Sequence, residues 1–149
     1  MSTQMTGGCQ CGAIRYRIAE VNEVSICHCR MCQKASGNYF QALAAAARAE
    51  FRWTRGAPGA FRSSELVERD FCRDCGTPLT YRPLEGGDIW VTVGSLDHPA
   101  AVQPVRQYGI ESRIIDFEAL AALPGTSTEQ ANAPDRLARL RSRQHPDHD

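Results

Sequence analysis

The segment Cys72-Arg73-Asp74-Cys75, followed by Gly76, holds two cysteines at a spacing that wraps a tight turn around a metal ion. The other five cysteines stand in two more clusters, Cys9-Gln10-Cys11 and Cys27-His28-Cys29-Arg30-Met31-Cys32. Two zinc ions would use all seven, since four thiolates complete a tetrahedral site and three leave a second site incomplete. A catalytic zinc needs such an open position for water or substrate. The odd cysteine count therefore predicts one closed site and one open site.

Spacing favours one division of these cysteines between two ions. In extended chain the first pair, two residues apart, would point to one face and act as a pincer. The favoured closed site combines that pair with the later CxxC: Cys9, Cys11, Cys72 and Cys75. The open site then has three ligands within six residues: Cys27, Cys29 and Cys32. The alternative, in which Cys27 and Cys29 join Cys72 and Cys75, stays open at this point, as does iron at one site.

Composition narrows the classes of function. The 149 residues suit one domain, and 17 basic residues balance 17 acidic ones. Without an overall basic field, neither nucleic acid nor an anionic membrane is expected as a partner. The first residues lack the pattern of a secretory signal, and no stretch has the roughly 20 apolar residues that span a bilayer. We expect a cytoplasmic protein, in which clustered cysteines bind metal rather than form disulfides.

Short apolar runs between frequent turns predict an all-β fold with short helical turns. The alanine-rich run at 42–47 is assigned to a strand despite its helix propensity, because aromatic residues flank it and propensity is a weak guide. The predicted strands are Ala13–Ile18, Val24–Cys27, Tyr39–Ala46, Glu50–Thr54, Leu66–Phe71, Leu79–Tyr81, Ile89–Val93 and Val105–Ile110.

The composition changes to small polar and then charged residues beyond Pro124. The domain is predicted to cover residues 1–125, and residues 126–149 to form a flexible polar tail. That tail is expected to be disordered or to carry one short helix, Asp135–Arg143. Other helical turns are expected after Cys32 and over Phe117–Leu123.

Four motifs together resemble the glutathione-dependent formaldehyde-activating enzyme family, which includes the centromere protein V domain. They are GGCQCGAIRY at 7–16, CHCRMCQKASG at 27–37, FCRDCGTPL at 71–79 and GSLD at 94–97. The resemblance covers about residues 5–123. It implies an Mss4-like fold of small sheets clamped by zinc. It also implies a structural zinc on the CxC and the later CxxC, and a second zinc, proposed to be catalytic, on the CxCxxC triad.

The activity implied by the resemblance is the condensation of formaldehyde with glutathione to S-hydroxymethylglutathione, formally a carbon-sulfur lyase reaction in reverse. A zinc with three thiolates suits thiol activation better than amide hydrolysis. Glutathione carries two carboxylates, for which Arg30 and Lys34 are the local candidate contacts. Two alternatives stay open: a glutathione or thiol carrier that catalyses nothing, and a binding module stabilised by zinc.

Other notable side chains have plainer interpretations. His28 lies between two candidate ligands, where a hydrogen-bonding or packing role is favoured over ligation. His98 is interpreted as a turn residue rather than part of the triad. Phe40, Trp53 and Trp90 are assigned to the core, with a substrate wall as the minority interpretation for each.

Overall fold

The computed structural model describes residues 4–149, which form two β-sheets. The small sheet has the order β1-β2-β5 and the large sheet the order β10-β3-β4-β9-β8-β7-β6. The neighbouring strands are antiparallel except for the parallel pair β10 and β3. The strands are β1 (Met5–Gly8), β2 (Arg15–Ile18), β3 (Glu23–Cys27), β4 (Gln41–Ala46), β5 (Phe51–Arg55), β6 (Gly59–Ser64), β7 (Val67–Phe71), β8 (Pro78–Pro83), β9 (Ile89–Thr92) and β10 (Arg106–Tyr108).

The helices are short. They are α1 (Arg30–Ser36), α2 (Phe117–Ala121), α3 (Thr128–Ala131) and α4 (Pro134–Arg139), with 3₁₀ turns at Arg48–Glu50, Val93–Ser95, Pro99–Ala101 and Ile110–Ser112. Within residues 4–149, these helices are too short and too polar to cross a lipid bilayer.

The hydrophobic core lies between the two sheets. Tyr16 and Ile18 of the small sheet and Ala44, Ala46 and Val91 of the large sheet belong to one buried cluster. The alanines leave room for the ring of Tyr16, which is fully buried and packs against other aromatic rings of the small sheet. Burial of an aromatic side chain contributes about 1.5–3 kcal/mol, so this contact is a main source of stability.

The opposite face of the large sheet carries a different row of side chains. Ala45 pairs with Trp90, Trp90 with Tyr81, and Tyr81 with Arg69. Residues paired across strands share a face, and neighbours along a strand alternate between faces. Because Ala44 and Ala46 face the core, this row faces away from it. Aromatic and charged side chains therefore gather on the outer face.

A buried ion pair connects the small sheet to the loop that follows β9. Nη1 of Arg15 on β2 donates to Oδ1 of Asp97 at 2.8 Å, and Nη2 donates to Oδ2 of the same carboxylate. Asp97 also accepts from the Thr6 hydroxyl on β1, while Tyr16 and Ser95 share a hydrogen bond of 2.7 Å. This junction therefore joins Arg15 and Tyr16 of the first motif to Ser95 and Asp97 of the last motif.

The all-β prediction is confirmed, and a strand overlaps each of the eight predicted ones. The alanine-rich run forms β4, as predicted. Two strands were not predicted, β1 and β6, whose sequences MTGG and GAFRSS lack the run of β-branched residues that signals a strand. The helical turn expected after Cys32 begins earlier, because α1 starts at Arg30 and contains that cysteine.

The tail holds two short helices, α3 and α4, where one was predicted at Asp135–Arg143. Its last residues return to the start of the chain. The His145 N–H donates to the Gln10 carbonyl at 2.7 Å, and the Asp149 carboxylate lies 2.9 Å from Nη2 of Arg15. The tail therefore contacts the loop that carries the first cysteines.

Candidate metal centres

Four cysteine sulfurs meet at one edge of the core. The Sγ atoms of Cys9, Cys11, Cys72 and Cys75, the four-cysteine group, all lie within 4.8 Å of one another. Cys11 Sγ is 3.5 Å from that of Cys9 and 3.8 Å from that of Cys72. Cys9 and Cys72 are buried, and Cys11 is exposed. The group joins two loops that are 61 residues apart in sequence. It lies at the edge of the core, to which Cys9 and Cys72 belong.

Both loops of the four-cysteine group are tight turns closed by backbone hydrogen bonds. The Gly12 N–H donates to the Cys9 carbonyl at 3.0 Å, and the Gly76 N–H donates to the Cys72 carbonyl at 3.0 Å. The two glycines have φ of 79° and 78°, a left-handed conformation that side chains with a Cβ rarely adopt. The extended conformation expected for Cys9 and Cys11 is therefore wrong, but their sulfurs converge on one site as predicted, 3.5 Å apart.

Three other sulfurs meet where β3 passes into α1. The Sγ atoms of Cys27, Cys29 and Cys32, the triad, lie within 4.8 Å of one another. Cys27 ends β3, Cys29 is the N-cap of α1, and Cys32 lies in its first turn. The Cys29 sulfur accepts from the Cys32 N–H at 3.4 Å. One strand end and one helix start therefore supply all three sulfurs, and the alternative division of the cysteines is not the one found.

The triad faces a cavity of about 320 Å³ on the outer face of the large sheet. Its other walls come from strands of that sheet and from α1. They are mainly aromatic or aliphatic and consist of Ser25, Met31, Leu43, Arg69, Tyr81, Trp90 and Tyr108. The triad sulfurs are therefore open to a ligand of moderate size.

Arg69 connects the triad to the cavity wall. Nη2 of this buried arginine donates to Cys32 Sγ at 3.3 Å, Nη1 to the Gln41 amide oxygen at 2.8 Å, and Nε to the Ser63 hydroxyl at 3.2 Å. Its guanidinium lies over the Tyr81 ring, 5.0 Å from the ring centre. Each of the three nitrogens has a partner within the protein, which holds the guanidinium against the sulfur.

The thiols of the two groups have unequal acidity. The hydrogen bond from Cys27, together with Arg69, lowers the pKa of the Cys32 thiol to about 5, although burial opposes this. The same bond to Cys32 raises the pKa of Cys27. Burial would raise the pKa of Cys75, but hydrogen bonds from Thr77 outweigh it and lower that pKa to about 6. Each group therefore contains one cysteine that ionises readily, as a metal ligand must.

The donor sets fit metal ions of the zinc type. Thiolates select soft or borderline ions, and four sulfurs at about 2.3 Å from a tetrahedral zinc lie about 3.8 Å from one another. The measured separations of 3.5 and 3.8 Å in the four-cysteine group agree with that spacing. Each of the two groups can hold a metal ion, and the triad lacks the fourth thiolate of a closed site.

The remaining predicted residues fall in several places. His28 is fully buried and packs near Phe40 and Phe117, with Nε2 2.8 Å from the Gln107 amide oxygen, so it has the packing and hydrogen-bonding role that we expected. His98 begins a 3₁₀ turn, as expected of a turn residue. Phe40 packs on that aromatic cluster.

Trp53 contacts Phe51 and Tyr16, as a core residue should. The core assignment of Trp90 is wrong, because its side chain lines the triad cavity. Arg30 and Lys34 lie on α1 beside a different depression, which Tyr39 and Ile114 also line. Their proposed contact with glutathione stays a prediction.

Sequence reasoning missed most of the cavity wall, including Arg69, Tyr81 and Tyr108. Arg69 and Tyr81 lie on the consecutive strands β7 and β8, whereas Tyr108 lies on β10 at the far edge of the large sheet. The available signal was strand alternation, which shows that Arg69 and Tyr81 each share a face with residues two positions away. Alternation does not say which strands are neighbours.

The chain is similar to a known protein family over most of its length. Residues 4–112 match the model of the glutathione-dependent formaldehyde-activating enzyme family. The chain belongs to that family. The match includes both groups of cysteines, the Arg15–Asp97 junction and the residues that line the triad cavity. The resemblance seen in the sequence is thereby confirmed.

Two other proteins are similar to this member of the formaldehyde-activating enzyme family. An uncharacterized lyase of Schizosaccharomyces pombe is 32% identical over 81 residues, which are 54% of this chain and 58% of that protein. The chain thus matches little more than half of that relative's length. The crystal structure of a Rhodobacter sphaeroides protein is 23% identical, with a TM-score of 0.57, and the match covers 69% of this chain and 99% of the other. That likeness concerns the fold alone.

Proposed function

We propose that the protein is a zinc-dependent lyase-type enzyme that makes or cleaves the carbon-sulfur bond of a thiol adduct, with S-hydroxymethylglutathione as the reference substrate. One observation carries this proposal: the triad has three thiolates and no fourth, and all three of its cysteines line one mainly apolar cavity. A structural metal site is closed by its own protein ligands, whereas a catalytic site keeps a position for substrate. Membership of the family supports the choice of glutathione and formaldehyde.

The proposed ligands follow from the two groups. Cys9, Cys11, Cys72 and Cys75 would hold the structural zinc, and Cys27, Cys29 and Cys32 the zinc of the reaction site. The chemistry that zinc supplies there is Lewis acidity, which lowers the pKa of an approaching thiol.

The chain's own residues prepare the site. Arg69 donates to Cys32 Sγ and favours the thiolate form of that ligand. The apolar walls exclude water from the bond that forms, which strengthens electrostatic interactions inside the cavity. Ser36 holds the end of α1 through its hydroxyl, which donates to the Cys32 carbonyl at 2.8 Å. These contacts fix the triad before substrate arrives.

The proposed reaction balances without an oxidant or reductant. In the direction of synthesis, the thiol sulfur bonds to the carbonyl carbon, and the thiol proton ends on the carbonyl oxygen as a hydroxyl. In the reverse direction the carbon-sulfur bond breaks and the same proton returns to sulfur. The addition also occurs without a catalyst, so the enzyme must accelerate an existing equilibrium and leave its position unchanged.

The test combines metal analysis with exchange spectroscopy. The wild-type protein should contain about two zinc ions per chain and Cys29→Ser about one. With ¹³C-formaldehyde and glutathione, wild type should accelerate exchange between free formaldehyde and the adduct, and Cys29→Ser should not. Leu66→Ala, an exposed site on the turn before β7, is the matched control and should behave as wild type.

An exchange rate equal to the spontaneous rate, measured with two zinc ions bound, would contradict the enzymatic proposal. In that case, tight binding of glutathione would identify a thiol carrier, and no binding would leave a zinc-stabilised binding module.

A further inference from the structure

The cavity over the triad is much larger than a one-carbon substrate requires. Its volume of about 320 Å³ equals that of roughly ten water molecules at about 30 Å³ each. Besides the triad, the aromatic side chains of Tyr81, Trp90 and Tyr108 line it. Trp90 and Tyr108 meet edge to face with ring centres 6.5 Å apart. The sheet thus builds an aromatic enclosure beside the sulfurs.

This enclosure offers no free cation to a carboxylate. Among the described residues that line it, Arg69 is the one with a permanent charge, and its three nitrogens donate to Cys32, Gln41 and Ser63. Arg30 and Lys34 line another depression. A carboxylate placed among these aromatic side chains would lose much of its hydration and would have to compete with Cys32, Gln41 and Ser63 for Arg69, which is unfavourable.

An apolar group in the same space would gain free energy. Burial of an aromatic side chain is worth about 1.5–3 kcal/mol, and ring-to-ring contacts of the edge-to-face kind add to it. The aliphatic side chains of Leu43 and Met31 complete an apolar surface on which such a ring can lie.

We infer that the cavity selects thiol adducts that carry a neutral, aromatic-sized substituent beside the new carbon-sulfur bond. The substituent belongs to the aldehyde or to the thiol, and the shared chemistry is an apolar ring attached within a few bonds of the sulfur. The inference rests on the proposed function in that it places the adduct's sulfur at the triad. It goes further in assigning the rest of the cavity to a group that formaldehyde and glutathione both lack.

Binding measurements test this selectivity without relying on catalysis. The full-length, zinc-loaded protein is titrated with benzyl mercaptan and with 2-mercaptoethanol, and binding is followed by calorimetry and by tryptophan fluorescence, to which Trp53 and Trp90 both contribute. Benzyl mercaptan should bind about tenfold more tightly or better. Benzyl alcohol, which has no thiol, should compete with it. Equal affinity for the two thiols, or no competition by benzyl alcohol, would overturn the inference.

Two variants with the same chemical change locate the effect. Met31 lies on the rim of the cavity and is 53% exposed, so Met31→Arg adds a cation there without disturbing the core. It should weaken binding of benzyl mercaptan and improve that of 3-mercaptopropionate by up to about fivefold, as an exposed ion pair would. Leu66→Arg, at an equally exposed site away from the cavity, should change neither. Identical behaviour of the two variants would contradict the assignment.

A further comparison identifies the source of the ring. Adducts of phenylacetaldehyde with 2-mercaptoethanol and of formaldehyde with benzyl mercaptan place the ring on the aldehyde and on the thiol, respectively. The tighter adduct shows which partner enters the enclosure, and weak binding of both would overturn the inference. If the protein accelerates adduct formation from glutathione and formaldehyde but does not prefer ligands that carry a ring, only this inference is contradicted. If it prefers such ligands but accelerates no reaction, only the proposed function is contradicted.

Discussion

The four-cysteine group and the triad are both built from cysteines, but they differ in their position in the fold and in their surroundings. The four-cysteine group unites two turns that are distant in sequence, and it brackets the end of the core where Cys9 and Cys72 are buried. The triad comes from a single segment at a strand end, and its sulfurs face a cavity. The group that links distant segments therefore suits a structural role, and the group contained in one short segment suits the binding of a ligand. Residue type alone does not make that distinction.

The largest expected effect follows from breaking the four-cysteine group. Structural zinc binding contributes about 10 kcal/mol or more, comparable to the whole stability of a small domain. Cys72→Ser, or removal of metal with a strong chelator, should therefore abolish the cooperative thermal transition seen by circular dichroism. A melting temperature within a few degrees of wild type would show that the sheets hold without the group.

A second variant tests whether the junction beside the four-cysteine group supports the fold independently. Asp97→Asn removes the bidentate partner of the buried Arg15, which keeps only its contact with Asp149, and should cost about 1.5–3 kcal/mol in denaturant unfolding. Its control is Glu65→Gln, which removes an exposed contact of 3.5 Å with Arg62 and should change stability by less than about 1 kcal/mol. Similar losses in both would contradict the role of burial.

The pH dependence of that ion pair has a definite sign. Burial opposes ionisation of Asp97, but the hydrogen bonds from Arg15 and Thr6 outweigh it and lower its pKa below the unfolded value of about 4. The stability that the wild-type carboxylate adds over the asparagine variant is therefore full above pH about 4 and is lost as the pH falls through the folded pKa. Subtracting the two unfolding free energies at each pH isolates this contribution. A difference that grows on acidification would contradict it.

The contact between Arg69 and Cys32 allows a test that concerns the triad alone. Groups that hold a metal ligand in place are commonly worth roughly 10–100-fold in metal affinity. Arg69→Met removes the donor to Cys32 and should weaken the second zinc by about that factor in competition with a chromophoric chelator. Arg82→Met, which removes ion pairs to Glu68 and Asp70 on the neighbouring strand, is the control. Equal loss in both variants would deny Arg69 a specific role.

The smallest expected effect is on the stability of Cys29→Ser. Cys29 caps α1 through its sulfur, and serine is among the best N-cap residues, so the helix keeps its cap. When both proteins are compared without the second zinc, we expect Cys29→Ser to lower the free energy of unfolding by about 1 kcal/mol or less. With zinc present, wild type gains in addition the stabilisation of the bound ion. Collapse of the fold would show that the triad is as structural as the four-cysteine group.

The sequence predicted the cysteine clusters and most strands, because both depend on local spacing. It did not predict the enclosure, because Arg69, Tyr81 and Trp90 become neighbours only through the order of β7, β8 and β9. The same limit explains Trp90, whose aromatic side chain in a strand is typical of a core residue but lies on the outer face. The strands β1 and β6 were missed because their glycine and polar residues give no apolar pattern. The Arg15–Asp97 pair joins residues 82 positions apart, beyond the reach of local spacing.

The separation of the cysteines in sequence also sets the order in which a ribosome delivers them. The last cysteine of the triad is residue 32 and the last of the four-cysteine group is residue 75, a delay of roughly 2–9 seconds at about 5–20 residues per second. During that interval the triad has all three of its sulfurs, whereas Cys9 and Cys11 still lack Cys72 and Cys75. The triad is therefore the first of the two groups whose ligands are complete during synthesis.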